Sequence, residues 1–298
     1  MSKHLLPRIK LLCAMLIFGS IAVFVKNIPL RSAEVALFRA YLAVLVIGAV
    51  LLFKKTNPVK GVKRKSLFFL LLSGAAMGFN WILLFEAYNY TTTSIATLCY
   101  YFAPVLVTVL CPFLFRERMT VKQIVCFAAS TLGVVLIVGV SGAGGGNPLT
   151  GILLALGAAV LYATVVLFNK GISGVDGISR TFLQFCAAAL VLTPYVALTG
   201  GFEIGTVHLT GLGFLLAVGV IHSGLAYCLY FSALPHMNGQ EASLLSYADP
   251  LLAVILSVTL LQEPITAWQI TGGVLILGFS LLNEIEFKKK IHKKENLN

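Results

Sequence analysis

Long apolar runs, separated by short polar or basic segments, fill the chain from end to end. The runs are continuously apolar and about 20 residues long, the length that an α-helix needs to cross about 30 Å of hydrocarbon. Barrel strands would instead alternate in polarity over about ten residues. Glycine, proline and charge mark the boundaries. The pattern predicts ten transmembrane helices, over residues 10–27, 32–53, 67–88, 93–115, 121–140, 149–169, 178–198, 208–232, 240–261 and 266–286.

Composition excludes a soluble fold. The 298 residues are 58% hydrophobic and only 11% charged, whereas a soluble domain carries about 25% charged residues. The mean hydropathy is +0.94. The six cysteines all fall inside apolar runs without a CxxC pair, and the histidines are scattered. We therefore expect reduced packing cysteines, no metal site and no cofactor.

Basic residues lie almost entirely on one side of the predicted bundle. With a cytoplasmic N-terminus, all but Lys26, Arg31 and Arg39 of the 22 lysines and arginines fall on the cytoplasmic side. This asymmetry predicts a cell-membrane protein with both termini in the cytoplasm. The net charge of +11 comes from short basic segments between the apolar runs, which set the orientation of the helices. It therefore does not indicate nucleic-acid binding. The basic tail is expected to contact anionic lipids.

Two stretches of the chain repeat each other. "LCYYFAPVLVTVLCPFLFRER" starts at residue 98 and "LLSYADPLLAVILSVTLLQEP" at residue 244, and an offset of 146 aligns them without a gap. Five helices per copy is an odd number, so the copies must cross the membrane in opposite directions. The predicted division is a first repeat over 1–140, an external Gly-rich linker over 141–149, a second repeat over 150–286 and a basic cytoplasmic tail over 287–298.

Inverted repeats are typical of secondary transporters, whose substrate site lies near mid-membrane between the repeats. Duplication as a mere route to a larger bundle is the structural alternative. A channel-like or lipid-scrambling protein is a second functional hypothesis. A membrane-embedded enzyme is a third, weakened because neither HExxH nor GxSxG occurs in the chain. An enzyme is therefore not expected.

The repeated stretches also resemble a known family. "AYNYTTTSIATLCYYFAPVLVTVLCPFLFRERMT" and "EASLLSYADPLLAVILSVTLLQEPITAWQITGGVLILGFSLL" are similar to the EamA domain of the drug/metabolite transporter superfamily. The resemblance covers nearly the whole chain as two tandem domains. It implies a ten-helix bundle that exports small metabolites, such as amino acids or related amphipathic compounds, by alternating access. It also implies a cavity lined by helices 1–4 and 6–9, with helices 5 and 10 peripheral. Membrane lipids are the other expected partners, and the protein is expected as a monomer or homodimer.

Two prolines interrupt predicted helices. Pro104 and Pro250 each remove a helix hydrogen bond and leave a carbonyl unpaired one turn earlier. In lipid such a break is tolerated only where protein or a wet cavity covers it. We expect helix breaks with a gating role that face a central cavity, together with Tyr101 and Tyr247 on the same stripes. Packing around a structural kink is the alternative.

Asp249 and His222 are polar residues near mid-membrane. An ionised Asp there costs about 2.5–3.5 kcal/mol, so Asp249 must be neutral, paired or hydrated. It is a candidate for proton coupling or for contact with a substrate amine, although its repeat counterpart is Ala103. A neutral Asp that caps the kink is the alternative. His222 is a candidate partner of Asp249 or of substrate, or else a hydrogen-bonded core histidine.

Other polar and aromatic residues complete the candidate site. Arg39 and Glu86 fall in the same third of the membrane, where they form either a buried ion pair or an anion-binding arginine with a gating acid. Asn80 needs a partner in lipid and should face inward. The remaining candidates are aromatic side chains that suit amphipathic or aromatic solutes or, alternatively, pack ordinarily: Trp81, Tyr100, Tyr101, Tyr227 and Tyr247.

Charged and hydroxyl residues at helix ends have structural interpretations. Glu117 and Glu263, with their nearby threonines, are expected to cap helices. Lys26 and Lys170 are expected to extend to the membrane interface, with a contact to a substrate carboxylate as the alternative.

Overall fold

The described residues of the chain fold as ten helical units. The computed structural model describes residues 5–115, 119–140, 147–237 and 239–295, with side chains except at 112–115, 140, 239–240, 243 and 284–295. It is 83% helical, and its described residues contain no strand. The units are α1 (Leu5–Val25), α2 (Ser32–Phe53), α3 (Arg64–Tyr90), α4a (Thr93–Tyr100), α4b (Ala103–Phe115), α5 (Val121–Val140), α6 (Pro148–Asn169), α7 (Gly177–Thr199), α8 (Leu209–His236), α9a (Gly239–Ser246), α9b (Ala248–Thr259) and α10 (Ala267–Glu295).

These helices confirm the predicted all-α membrane fold. Eight of the described helical segments are long and apolar enough to cross a membrane, and two shorter apolar helices, Leu244–Thr259 and Ala267–Asn283, supply the other crossings. The bounds agree with the apolar runs to within a few residues, except at the two ends of the chain. The first helix starts at Leu5 and the last continues to Glu295; the extension of the last helix is rich in lysine, which is a good helix former.

The fourth and ninth helices are broken, as the prolines predict. Helix 4 turns at Tyr101 and resumes at Ala103, and helix 9 turns at Tyr247 and resumes at Ala248. Each break therefore lies just before its proline, because a proline fits the first turn of the new helix, where no amide donor is needed.

Each repeat packs mainly against the other. Helix α1 lies against α8 and α9b, and its counterpart α6 lies against α3 and both halves of helix 4. Similarly α2 contacts α7 and α8, while α7 contacts α2 and α3. This exchange gives two interlocked five-helix repeats of opposite orientation, and it leaves space between them at the broken helices.

Helices α5 and α10 pack mainly against each other, with smaller contacts to the broken helices. They approach so closely that a Cβ on Gly133 would lie 2.6 Å from the Gly272 carbonyl oxygen, and the reverse distance is also 2.6 Å. Small residues commonly allow such contacts in membranes. The same two helices start alike: Thr120 Oγ1 accepts the Gln123 amide and Thr266 Oγ1 accepts the Gln269 amide, both at 3.3 Å, and each glutamine side chain accepts the amide of its threonine at 2.8 Å. The expected capping by the threonines is therefore confirmed.

Candidate functional site

A cavity of about 630 Å³ lies between the two repeats. We call the end of the bundle at loop 54–63 the basic end, and the end at loop 26–31 the opposite end. Asn169, Arg180 and Leu234, which lie where helices meet the basic end, line the cavity. The cavity therefore extends from the broken helices toward the basic end.

Arg39 brings a positive charge to the cavity wall. Its Nε donates to Ser223 Oγ at 2.6 Å, and its guanidinium lies 4.3 Å from the ring centre of Trp81 and 5.7 Å from that of Phe85. The side chain is buried, and none of its contacts in the described residues is a carboxylate. Two aromatic faces and one hydroxyl thus hold the guanidinium in a fixed orientation.

The structure does not form the ion pair that was one interpretation of Arg39 and Glu86. Glu86 Oε2 instead accepts hydrogen bonds from Ser32 Oγ at 2.6 Å and from Asn89 at 3.3 Å. Glu86 lies about one helical turn nearer than Arg39 to the end of the bundle at which α2 begins and α3 ends. Its carboxylate therefore accepts hydrogen bonds from donors close to that end. It is not among the residues that line the cavity.

Helix α8 contains a π-helical segment, Ala217–Leu225, that orients two side chains. Ser223 Oγ donates to the Val218 carbonyl at 3.0 Å while it accepts from Arg39. His222 contacts the Ala217 carbonyl and Ser20 Oγ, both at 3.1 Å. These contacts turn His222 toward α1, and it neither pairs with Asp249 nor lines the cavity. Such π-segments are frequent at functional sites.

Asp249 lies in the first turn of α9b, beside the break, and lines the cavity. The Tyr101 hydroxyl, from the break in helix 4, donates to Asp249 Oδ2 at 2.5 Å. A Cβ on Gly19 would lie 2.5 Å from the Asp249 carbonyl oxygen, so only a glycine lets α1 pack this closely on the break. The two breaks therefore meet through one tyrosine and one carboxyl group.

Aromatic side chains form much of the remaining wall. Trp81, Tyr100, Tyr101, Tyr227 and Tyr247 all line the cavity, as does Pro104. The rings also pack on one another: Tyr227 lies 5.4 Å from Phe185, which in turn lies 5.0 Å from Trp81.

Asn80 and Pro250 lie behind this wall. Asn80 donates to the Ala158 carbonyl at 2.5 Å and accepts from the Tyr100 hydroxyl at 3.4 Å, which joins α3, α6 and helix 4. Pro250 is buried, and the cavity does not reach it. The functional roles of all these candidates stay predictions.

Comparison with known proteins matches this arrangement. The sequence profile of the EamA-like transporter family matches residues 7–139 and again residues 149–283. The chain belongs to the EamA-like transporter family. It is a multi-pass membrane protein that transports small metabolites. The two matches correspond to the two five-helix repeats.

Several relatives carry names that agree with the family. The chain is 29% identical to the uncharacterized transporter YxxF of Bacillus subtilis, over 91% of this chain and 86% of the relative. It is 26% identical to a probable amino-acid metabolite efflux pump of Salmonella typhimurium, over 59% and 62%. It is 28% identical to the threonine/homoserine exporter RhtA of Escherichia coli, over 49% of each chain. A crystal structure with 19% identity superposes with a TM-score of 0.63 over 97% of this chain and 98% of the other, which supports the fold.

In this EamA-like chain, sequence reasoning missed a polar group on the cavity wall. Gln184 of α7 donates to Ser73 Oγ at 2.7 Å and to Asn169 Oδ1 at 2.8 Å. Gln184, Asn169, Arg180 and Tyr162 all line the cavity. A glutamine in the middle of the apolar run 178–198 was the signal that could have identified the group, because a polar side chain there needs a partner.

The charged residues at helix ends have partners in distant parts of the chain. Lys26, at the end of α1, pairs with Glu263. Glu263 caps no helix of its own repeat: its Oε2 accepts the Thr93 amide of α4a at 2.7 Å. Lys170 donates to Cys111 Sγ at 2.9 Å. The spacing of Glu263 and Thr266 suggested a cap on the helix that follows, whereas the fold brings the start of α4a, in the other repeat, next to Glu263. Glu117 lies outside the described residues.

Proposed function

We propose that this transporter exports small zwitterionic metabolites of the amino-acid class by alternating access. The observation that carries the proposal is that Arg39, from the first repeat, and Asp249, from the second, line the same cavity. A basic and an acidic side chain on one cavity wall suit a solute that carries both a carboxylate and an amine. The printed names of the Salmonella and Escherichia relatives support the same substrate class.

Each charge has a defined task in this proposal. The Arg39 guanidinium takes the carboxylate, since Ser223 occupies its Nε edge and none of its contacts in the described residues is an acid. A charge-assisted hydrogen bond of this kind is about twice as strong as a neutral one. The Asp249 carboxyl takes the amine when no proton occupies it. The aromatic wall covers the rest of the solute.

The location of the cavity and of Asp249 supports export and proton coupling. The cavity extends to the basic end, which we propose to be cytoplasmic, so solute would load from the cytoplasm. A proton and a substrate amine would compete for the Asp249 carboxyl, which links outward solute movement to inward proton movement. The transporter would thus be a secondary active exporter.

We further propose the cell membrane as the location, with both termini in the cytoplasm and the Gly-rich linker outside. The repeats would span residues 1–140 and 150–286. The interlocked packing of the two repeats supports a complete cavity within one chain, so the protein would function as a monomer, with a homodimer as the alternative.

Counterflow in proteoliposomes tests the proposed function. Vesicles loaded with unlabelled threonine should accumulate external labelled threonine transiently, with saturation, and an imposed pH gradient should change the net flux. A related amino acid that competes better than threonine would identify a preferred substrate. Flux that is linear in concentration and is not accelerated by solute on the far side would contradict a carrier and would favour a channel.

A further inference from the structure

One carboxylate joins three helices at the opposite end of the bundle. Glu263, in the loop after α9b, pairs with Lys26 at the end of α1. Its Oε2 also accepts the Thr93 amide at 2.7 Å and the Ser257 hydroxyl at 2.5 Å. Ser257 Oγ in turn accepts the Ser94 amide at 3.2 Å. We call Lys26, Thr93, Ser257 and Glu263 the closure cluster.

The closure cluster is well placed to hold α4a. Thr93 is the first residue of α4a, so Glu263 puts a negative charge on the positive end of that half-helix, where unpaired amides need an acceptor. The side chains of Glu263 and Lys26 are only 13% and 24% exposed. Limited access of water makes such a pair stronger than a fully exposed one.

The contacts between the broken helices are asymmetric. At the opposite end, α4a packs against α9b. Among the described residues, their repeat counterparts α9a and α4b make no contact of comparable extent at the basic end. The cavity lining includes the partly exposed Asn169 and Arg180 at the basic end, whereas toward the opposite end it stops at the buried Tyr88 and Thr97 and includes no member of the closure cluster. The cavity is therefore covered at the end where the closure cluster lies, and its more accessible lining is at the basic end.

We infer that Glu263 is a positioning residue for transport, which keeps α4a against α1 and α9b and so keeps the cavity closed at the opposite end. The closure cluster must separate before solute can leave on that side. Because α4a carries Thr97 and Tyr100 of the cavity wall, releasing Glu263 moves part of the binding site as well as the exit. The inference rests on the proposed alternating access.

Distances between spin labels test the inference. Tyr90, at the end of α3 and just before α4a, and Leu260, at the end of α9b, are both exposed, so labels there, in a background without the native cysteines, report whether this end is closed. In the unmodified chain the short distance should dominate. Glu263→Gln should raise the ratio of long to short distances about tenfold, and Lys26→Met should raise it several-fold, whereas Lys26→Arg, which keeps the charge, should not.

Arg8→Met is the matched control. Arg8 pairs with Glu241 and so also joins α1 to helix 9, but at the basic end and without α4a. It should leave the label distances at the opposite end unchanged. Unchanged distances in both Glu263→Gln and Lys26→Met would overturn the inference, as would an equal shift in Arg8→Met. Threonine counterflow in the unmodified chain separates the two proposals: its presence with unchanged distances contradicts only the role of Glu263, and its absence contradicts alternating access itself.

Discussion

The broken helices of the two repeats share their geometry and differ in their chemistry. Helix 4 turns at Tyr101 and helix 9 at Tyr247, and both tyrosines line the cavity. Two residues beyond each tyrosine the repeats diverge, with Ala103 in the first and Asp249 in the second. Duplication thus supplies the breaks and the cavity, while a departure from symmetry supplies the acid.

A similar contrast exists between α2 and α7. In each, a polar side chain bonds to a serine from the other repeat: Arg39 to Ser223 at 2.6 Å, and Gln184 to Ser73 at 2.7 Å. The scaffold is the same, yet only one of the two serine-bonded side chains is charged. The symmetric contacts hold the repeats together, and the asymmetric charges suit substrate binding.

Removing the acid should have the largest effect, because it makes the second break resemble the first. Asp249→Asn should abolish the dependence of net threonine flux on an imposed pH gradient, since no carboxyl group remains to take the proton. Counterflow, which needs no net proton movement, should persist with a raised KM for threonine, because the amine loses its carboxylate partner. Glu203→Gln, at an exposed acid in the loop after α7, is the control and should keep the pH dependence. Intact dependence in Asp249→Asn would show that coupling lies elsewhere.

Removing the basic charge should have the second-largest effect on transport. Arg39→Gln gives α2 the side chain that α7 carries, and it should raise the KM for threonine about 10- to 100-fold, the loss expected for hydrogen bonds to a charged group. Competition by an amine that lacks the carboxylate should not change. Equal weakening of both ligands would mean that Arg39 supports the fold instead of binding the carboxylate.

The paired tyrosines offer a smaller, internally matched test. Tyr101→Phe removes the hydroxyl that donates to Asp249, so transport should slow about 5- to 10-fold. Tyr247→Phe changes the corresponding tyrosine, in the break that carries Asp249 itself, and should have the lesser effect because the hydrogen bond from Tyr101 to Asp249 stays. The measurement is the ratio of the transport rates of the two variants, in proteoliposomes that contain equal amounts of protein. A reversed ratio would contradict the asymmetry of the breaks.

The peripheral helices should show the smallest effect on transport and a clear effect on stability. Gly272→Ala places a Cβ 2.6 Å from the Gly133 carbonyl oxygen, which should destabilise the α5–α10 contact by about 1–3 kcal/mol and lower the melting temperature in detergent. Gly278→Ala, six residues later on α10 and in open space, should be neutral or stabilising by up to about 1 kcal/mol. Similar melting temperatures for the two variants would contradict the close packing.

Much of this architecture could be predicted from the sequence because the membrane imposes it. Apolar runs set the helices, and Pro104 and Pro250 marked the breaks. Contacts between distant segments left no such signal. Nothing local to Glu263 indicates that its carboxylate meets Thr93, and nothing in the run around His222 predicts a π-helix that turns the ring toward Ser20. Gln184 was the exception, since an amide in a membrane span signals its own need for a partner.

The most direct test of the account is the sidedness of three sites in intact cells. Reporter tags at the N-terminus, in the Gly-rich linker 141–149 and at the C-terminus show on which side of the membrane each five-helix repeat begins and ends. The account predicts that both termini are in the cytoplasm and that the linker is outside. A linker on the same side as either terminus would contradict inverted repeats and, with them, the cavity between the two halves as a transport path.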